Sequence, residues 1–361
     1  MVDESKQKIK ISILIRKYPP LRYNAKMRKR EIKIYLVLAL MAVLLISGCG
    51  MVSKDTGPLS SEDPKNITIY AVTDDGLAIG SRGGENWENI HSAKKKGLVS
   101  NIFSGLVIAD KTMYLSFAQG LSISTDNAKT WISVSYPAPL DKALINQILK
   151  PSDQIFLATS QGVFISTNNA STFFAANTQI GMVTKIAGQN GNFYAMNNAQ
   201  LFVSTTNAQS WSSVALPFKA KINDIDFNGT TLMIGTDQGL LVANAATLAN
   251  PSAPSFNVVK DTQGLPENTI QAVKVDDKNV IYVGTRQGLS VSKDLGKKWN
   301  TFTKTDGLES EAINAIEVFK GHLFLGTSTG VWVSFQNGQK WDKYMKGTGL
   351  RSNNVVEILA K

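Results

Sequence analysis

The chain is predicted to be all-β, a ring of seven four-stranded antiparallel units whose first unit is completed by the last strand of the chain. Three observations predict this. From residue 66 a two-part motif recurs with a period near 42 residues, the length of about 40–50 that four short strands and their turns need. Each copy alternates short apolar runs with Gly-containing turns, the pattern of strands joined by hairpins. The first copy lacks a strand to begin it, and the end of the chain carries a strand with nothing after it.

The first half of the motif is a hairpin. It reads Leu157-Ala-Thr-Ser-Gln-Gly162-Val-Phe-Ile-Ser166 in one copy. It recurs from Ile234 through Gly239, from Val283 through Gly288 to Ser292, and from Leu325 through Gly330 to Ser334. The apolar residues on either side read as two strands, and the second glycine supplies the positive φ of a tight turn.

The second half follows at once. One copy is Ser124-Thr-Asp126-Asn-Ala128-Lys-Thr-Trp131. Others run from Ser166 through Asn168 to Phe173, from Ser204 through Thr206 to Trp211, from Ser292 through Asp294 and Gly296 to Trp299, and from Ser334 through Gln336 and Gly338 to Trp341. A weak copy ends at Trp87, and a degenerate one with an insertion near Asn250 ends at Phe256. These seven repeats predict a seven-bladed β-propeller. This half resembles the Asp-box, or BNR, repeat, Ser-x-Asp-x-Gly-x-x-Trp. The resemblance implies a turn between the third and fourth strands of a blade. There the acid accepts backbone amides, Gly takes a conformation other residues resist, and Trp packs between strands. That role is structural. Asn168 can replace the acid, and Thr206 and Gln336 are expected to do so less well.

Inner strands are expected over residues 145–150, 222–227, 270–275 and 313–318. Residues 67–72 read as a second strand, so residues 354–359 are expected to supply the inner strand of the first blade. Such closure removes two exposed sheet edges at once.

The N-terminus reads as an export leader. Residues 34–46 are thirteen apolar residues without a charge, short for a membrane span of roughly 20 and suited to a signal peptide. A basic run, Arg28-Lys29-Arg30, precedes them. Ile46-Ser47-Gly48-Cys49 follows and resembles a bacterial lipobox, which implies lipid on the Cys49 thiol after cleavage. Residues 1–48 are therefore read as leader, with Met27 as a natural start. Residues 49–65 are read as lipidated cysteine and flexible tether, and residues 66–361 as the propeller. Cys49 is the one cysteine of 361 residues, so no internal disulfide can form.

Charge argues against nucleic acid. The net charge is +10, but residues 1–48 hold 11 Lys and Arg against 3 Asp and Glu, and the rest is close to neutral. A nucleic-acid surface needs that charge on the folded domain.

Loops entering the inner strands share a Gly-Leu pair: Gly97-Leu98, Gly264-Leu265, Gly307-Leu308 and Gly349-Leu350. This also resembles two-component-regulator propeller repeats. One reading is a turn whose Leu plugs the blade interface. The other is a ligand face bearing Asp261, Glu267, Asp306, Glu311, Arg286 and Arg351. No cofactor or metal is expected: the two histidines, His91 and His322, are far apart, and no phosphate loop or serine elbow occurs.

Two function classes remain. The layout resembles photosystem II stability/assembly factor-like propellers, which implies a protein-binding platform, monomeric and membrane-tethered through lipid. That family uses an Arg-rich face, whereas only Arg82, Arg286 and Arg351 follow Cys49, so the photosynthetic partner is not carried over. Asp-box proteins also include sialidases, which bind the substrate carboxylate with three arginines and have six blades; this implies a carbohydrate-active enzyme or glycan-binding lectin as the alternative. Carboxylates clustered at the channel mouth would favour the alternative.

Overall fold

The computed structural model describes residues 63–361 apart from 94, 96, 178–179, 249–252 and 311. The expected leader, Ile46, Ser47, Gly48 and Cys49, most of the tether, and Glu311 lie outside the described residues. What is described is a seven-bladed β-propeller of four-stranded antiparallel sheets. Blade 3 shows the pattern, running outward from the centre through Ile145–Leu149, Ile155–Thr159, Gly162–Ser166 and Phe174–Asn177. The inner strands of blades 2, 4, 5, 6 and 7 are Gly105–Ala109, Lys185–Gln189, Ile222–Phe227, Ala272–Val275 and Ile313–Phe319.

Blade 1 closes as expected. Val355–Ala360 pairs antiparallel with Ile69–Thr73, placing Tyr70 opposite Leu359 and Ala71 opposite Ile358. Thr68 and Lys361 exchange both backbone hydrogen bonds, at 2.8 and 2.9 Å. Val355 and Ile358 are buried, so the closing strand contributes apolar packing as well as its hydrogen bonds.

The middle strands are apolar along their whole length because a neighbouring blade covers each face of the sheet. All five residues of Ile155–Thr159 are buried. The core is therefore divided among the seams. Val72 and Leu77 of blade 1 pack with Leu106, Leu115 and Trp131 of blade 2. Phe156 of blade 3 meets Phe193 of blade 4 with ring centres 4.4 Å apart, and Tyr194 of blade 4 meets Phe227 of blade 5 at 5.0 Å.

Alternating strand direction sorts the connections onto two faces. One face, here the box face, carries the turns between third and fourth strands. In blade 2, Asp126 Oδ1 accepts the Ser124 hydroxyl at 2.9 Å and the Thr130 amide at 2.9 Å, while Ser124 Oγ accepts the Ala128 amide at 3.0 Å. The hydrogen bonds from the Thr130 hydroxyl and amide hold the Asp126 carboxyl down at about 2. Asn168 accepts the Thr172 amide at 3.0 Å, and Asp294 accepts that of Lys298 at 2.8 Å. Thr206 does the same job, its hydroxyl taking the Ser210 amide at 2.9 Å: the turn needs one oxygen at this position, and a hydroxyl provides it. The described chain also begins on this face, where the Gly83 amide donates to the Ile67 carbonyl at 2.8 Å. The other face, the loop face, carries the hairpin turns between second and third strands and the long loops that enter each inner strand.

The channel and its loop face as a candidate binding site

The Gly-Leu loops are rigid plugs. Leu98, Leu265, Leu308 and Leu350 are buried and pack at the blade seams, Leu98 with Trp131 and Leu265 beside Trp299. Gly97 has φ +84°, and a Cβ there would stand 1.7 Å from the Trp131 carbonyl oxygen, so only glycine fits.

The residues expected to form a ligand face are mostly engaged in holding these loops. Asp306 Oδ2 accepts the Thr303 amide at 3.0 Å, and Asp261 Oδ1 accepts the Thr262 amide at 2.7 Å. Glu267 takes the backbone amide of Arg286. Arg351 Nε donates to Asp75 at 2.6 Å across the closing seam. Glu267 and Arg286 are thus brought together, whereas Asp261, Asp306 and Arg351 belong to separate loops. The three arginines do not converge: Arg82 pairs with Glu85 at 2.9 Å in a box-face turn, and Arg286 and Arg351 belong to the loop face of different blades.

A second polar constellation was not singled out from the sequence. It borders the central channel, where inner-strand side chains reach toward the next blade. Gln147 accepts the Ile186 amide at 2.7 Å, Asp224 the Val273 amide at 2.9 Å, Asp226 the Val275 amide at 2.8 Å, and Glu357 the Leu106 amide at 2.7 Å. Lys185 pairs with Asp224, and Lys274 with Glu317 at 2.9 Å. Above them Asn146, Asn223 and Asn314 donate to the carbonyls of Val183, Ile270 and Val355 in the following blade. The signal for Asp224 and Asp226 was a pair of charges two positions apart in a short strand, Ile-Asn-Asp-Ile-Asp-Phe over Ile222–Phe227, and for Glu317 and Glu357 a lone charge in a largely apolar strand. A buried charge of that kind requires partners.

Four carboxylates share the channel with two ammonium groups. Burial pushes Glu357 up to about 7 against the pull of the Leu106 amide and Lys185. Burial likewise raises Asp226 and Glu317. Burial alone would lower Lys185 and Lys274, but the surrounding carboxylates outweigh it and raise both. The channel thus carries an acidic excess and one carboxyl that titrates near neutrality. Among the described residues, no group of three or more His, Cys, Asp or Glu is arranged to hold a metal ion.

No family model matches this chain, and no curated protein matches it in sequence. Solved structures match its fold. YCF48 from Cyanidioschyzon merolae is 18% identical with a TM-score of 0.58, over 74% of this chain and 90% of that one. A structure of YCF48 bound to D1 peptide is 10% identical with a TM-score of 0.52, over 66% and 80%. The GH74 xyloglucanase from Xanthomonas campestris is 12% identical with a TM-score of 0.57, over 79% of this chain and 53% of the enzyme. At such identities the likeness is one of fold: this chain is a propeller similar to a peptide-binding one and to part of a glycoside hydrolase.

Proposed function

We propose that this protein is an exported, lipid-tethered propeller that serves as a non-catalytic protein-binding platform in the cell envelope. The observation that carries this reading is the use made of the polar side chains. Asp261 and Asp306 cap their own turns, Glu267 holds the hairpin turn of the same blade through the Arg286 amide, and the channel acids hold one blade to the next. What they build is a stiff loop face rather than a set of groups converging on one reacting atom. The fold likeness to YCF48 bound to D1 peptide supports the same reading. An affinity capture from envelope extract with the full chain in detergent is expected to retain a specific protein. Hydrolysis in a screen of fluorogenic glycosides would overturn the reading.

The tether rests on the lipobox resemblance. No helix among the described residues is long and apolar enough to cross a membrane. Cys49→Ser is expected to release the protein from membranes, and retention there would disprove lipid attachment.

One observation favours carbohydrate chemistry instead. Asp224, Asp226, Glu317 and Glu357 do cluster along the channel, and a carboxyl titrating near 7 suits a general acid. If the glycoside screen detects turnover, Glu357→Gln should abolish it.

A further inference from the structure

The inner strands of blades 3 to 7 are entered through the same register. In blade 2 the Ser104 amide bonds the Ser116 carbonyl as the Thr184 amide of blade 4 bonds that of Met196, and in blade 1 Val355 pairs with Thr73 as Ile145 of blade 3 pairs with Thr159, which makes Phe103 and Val355 the equivalent anchors. A buried apolar anchor, such as Ile145, Val183, Ile222, Ile270 or Ile313, donates its amide to the preceding blade's hairpin turn, at the carbonyls of Ala118, Thr159, Asn198, Thr236 and Thr285 respectively. The residue just before the anchor therefore occupies one equivalent position per blade at the edge of the channel mouth. In blades 5, 6, 7 and 1 that residue is Lys221, Thr269, Ala312 or Asn354. In blades 2, 3 and 4 it is Ile102, Leu144 and Met182, which are 72%, 51% and 45% exposed. Val99, in the same loop as Ile102, is 64% exposed. The apolar rim is thus confined to three consecutive blades. Ile132, Phe174 and Leu295 are exposed singly on other parts of the surface; a row at one register position in consecutive blades marks a contact surface.

The channel beside this rim carries four carboxylates against two ammonium groups. An occupant complementary to both is apolar along one side and basic at one point. We propose that the loop face binds a protein segment that lays apolar side chains on the rim of Ile102, Leu144 and Met182 and directs a lysine or arginine into the channel mouth, toward Glu357, two residues inside the entry of the blade 1 inner strand. This rests on the protein-binding reading above and names the chemistry of its partner.

The test uses the full chain in detergent and fluorescein-labelled 15-residue peptides of alternating Leu and Ser with a central Lys. Matched peptides carry a central Glu, or Ser in place of every Leu. The Lys peptide is expected to bind at least ten-fold more tightly than either. The triple variant Ile102→Ser, Leu144→Ser, Met182→Ser should lose at least ten-fold in affinity with an unchanged circular dichroism spectrum. The control pair Ile132→Ser, Phe174→Ser removes residues that are 72% and 51% exposed on outer strands, and should bind as the parent does. The proposal is overturned if no peptide binds at millimolar concentration, if the Glu peptide binds as well as the Lys peptide, or if the triple variant binds unchanged. Concentration-dependent self-association lost in the triple variant would also overturn it, because the occupant would then be a second copy of this chain. A protein captured from envelope extract equally by parent and triple variant would sink this inference and leave the protein-binding reading standing.

Discussion

Ala128, Ala170 and Ala208 stand in the box turns where Gly296 and Gly338 stand in later blades, and all five have positive φ. An L-residue there is strained by about 1–2 kcal/mol, yet each of the three alanine methyl groups is buried at a blade seam, which returns about 0.8 kcal/mol. What forbids alanine in blade 7 is the neighbour: a Cβ on Gly338 would lie 2.4 Å from the Phe302 ring. Gly338→Ala should therefore destabilise by about 2–4 kcal/mol, strain and overpacking together. Ala128→Gly should stay within about 0.5–1 kcal/mol of the parent, since relieved strain and lost packing offset each other. Denaturant melts of the two variants check both, and equal effects would refute the argument.

The closing strand is the element on which the ring depends. Removing residues 352–361 exposes an inner edge of blade 1 and uncovers Val355 and Ile358, worth about 1.5–3 kcal/mol each when buried. At roughly 2–4 °C per kcal/mol for a domain of this size, the melting temperature should fall by about 10 °C or more; an unchanged melt would contradict closure. The deletion also removes Glu357, so the Leu106 amide of blade 2 loses its acceptor. The closing strand therefore fastens blade 1 to its own sheet and to the next blade.

At the scale of the whole molecule, the channel couples stability to pH. Burial raises Glu357 from 4.5 to about 7 among Lys185, Lys274 and Glu317. Between those pH values the folded protein holds a proton that the unfolded chain has released. This group's stabilising contribution is thus full below pH 4.5 and lost as pH rises through 7. Asp226 and Glu317 are raised by burial as well and act in the same sense. Glu357→Gln should show a shallower fall in melting temperature between pH 5 and 8 than the parent. Parallel curves would mean that Glu357 does not titrate in this window.

The sequence by itself determined the repeat, the blade count and the closure, because these rest on local chemistry. Gly162 and Gly288 mark turns that need positive φ. Asp126 and Asn168 mark turns that need an oxygen, and the unpartnered runs at the two ends of the repeat region mark a missing pair. The loop residues Asp261, Glu267 and Asp306 were legible as polar, but not as caps of turns, their own for Asp261 and Asp306 and the hairpin turn at Arg286 for Glu267. Only the tertiary structure decided what meets at the centre. Gln147, Asp224 and Glu357 each bond a strand about 40 or more residues away, or at the far end of the chain. The exposed row of Ile102, Leu144 and Met182 likewise exists only once three loops, each contributing one residue, are set side by side. Adjacency of that kind is a property of the closed ring, and no single repeat contains it.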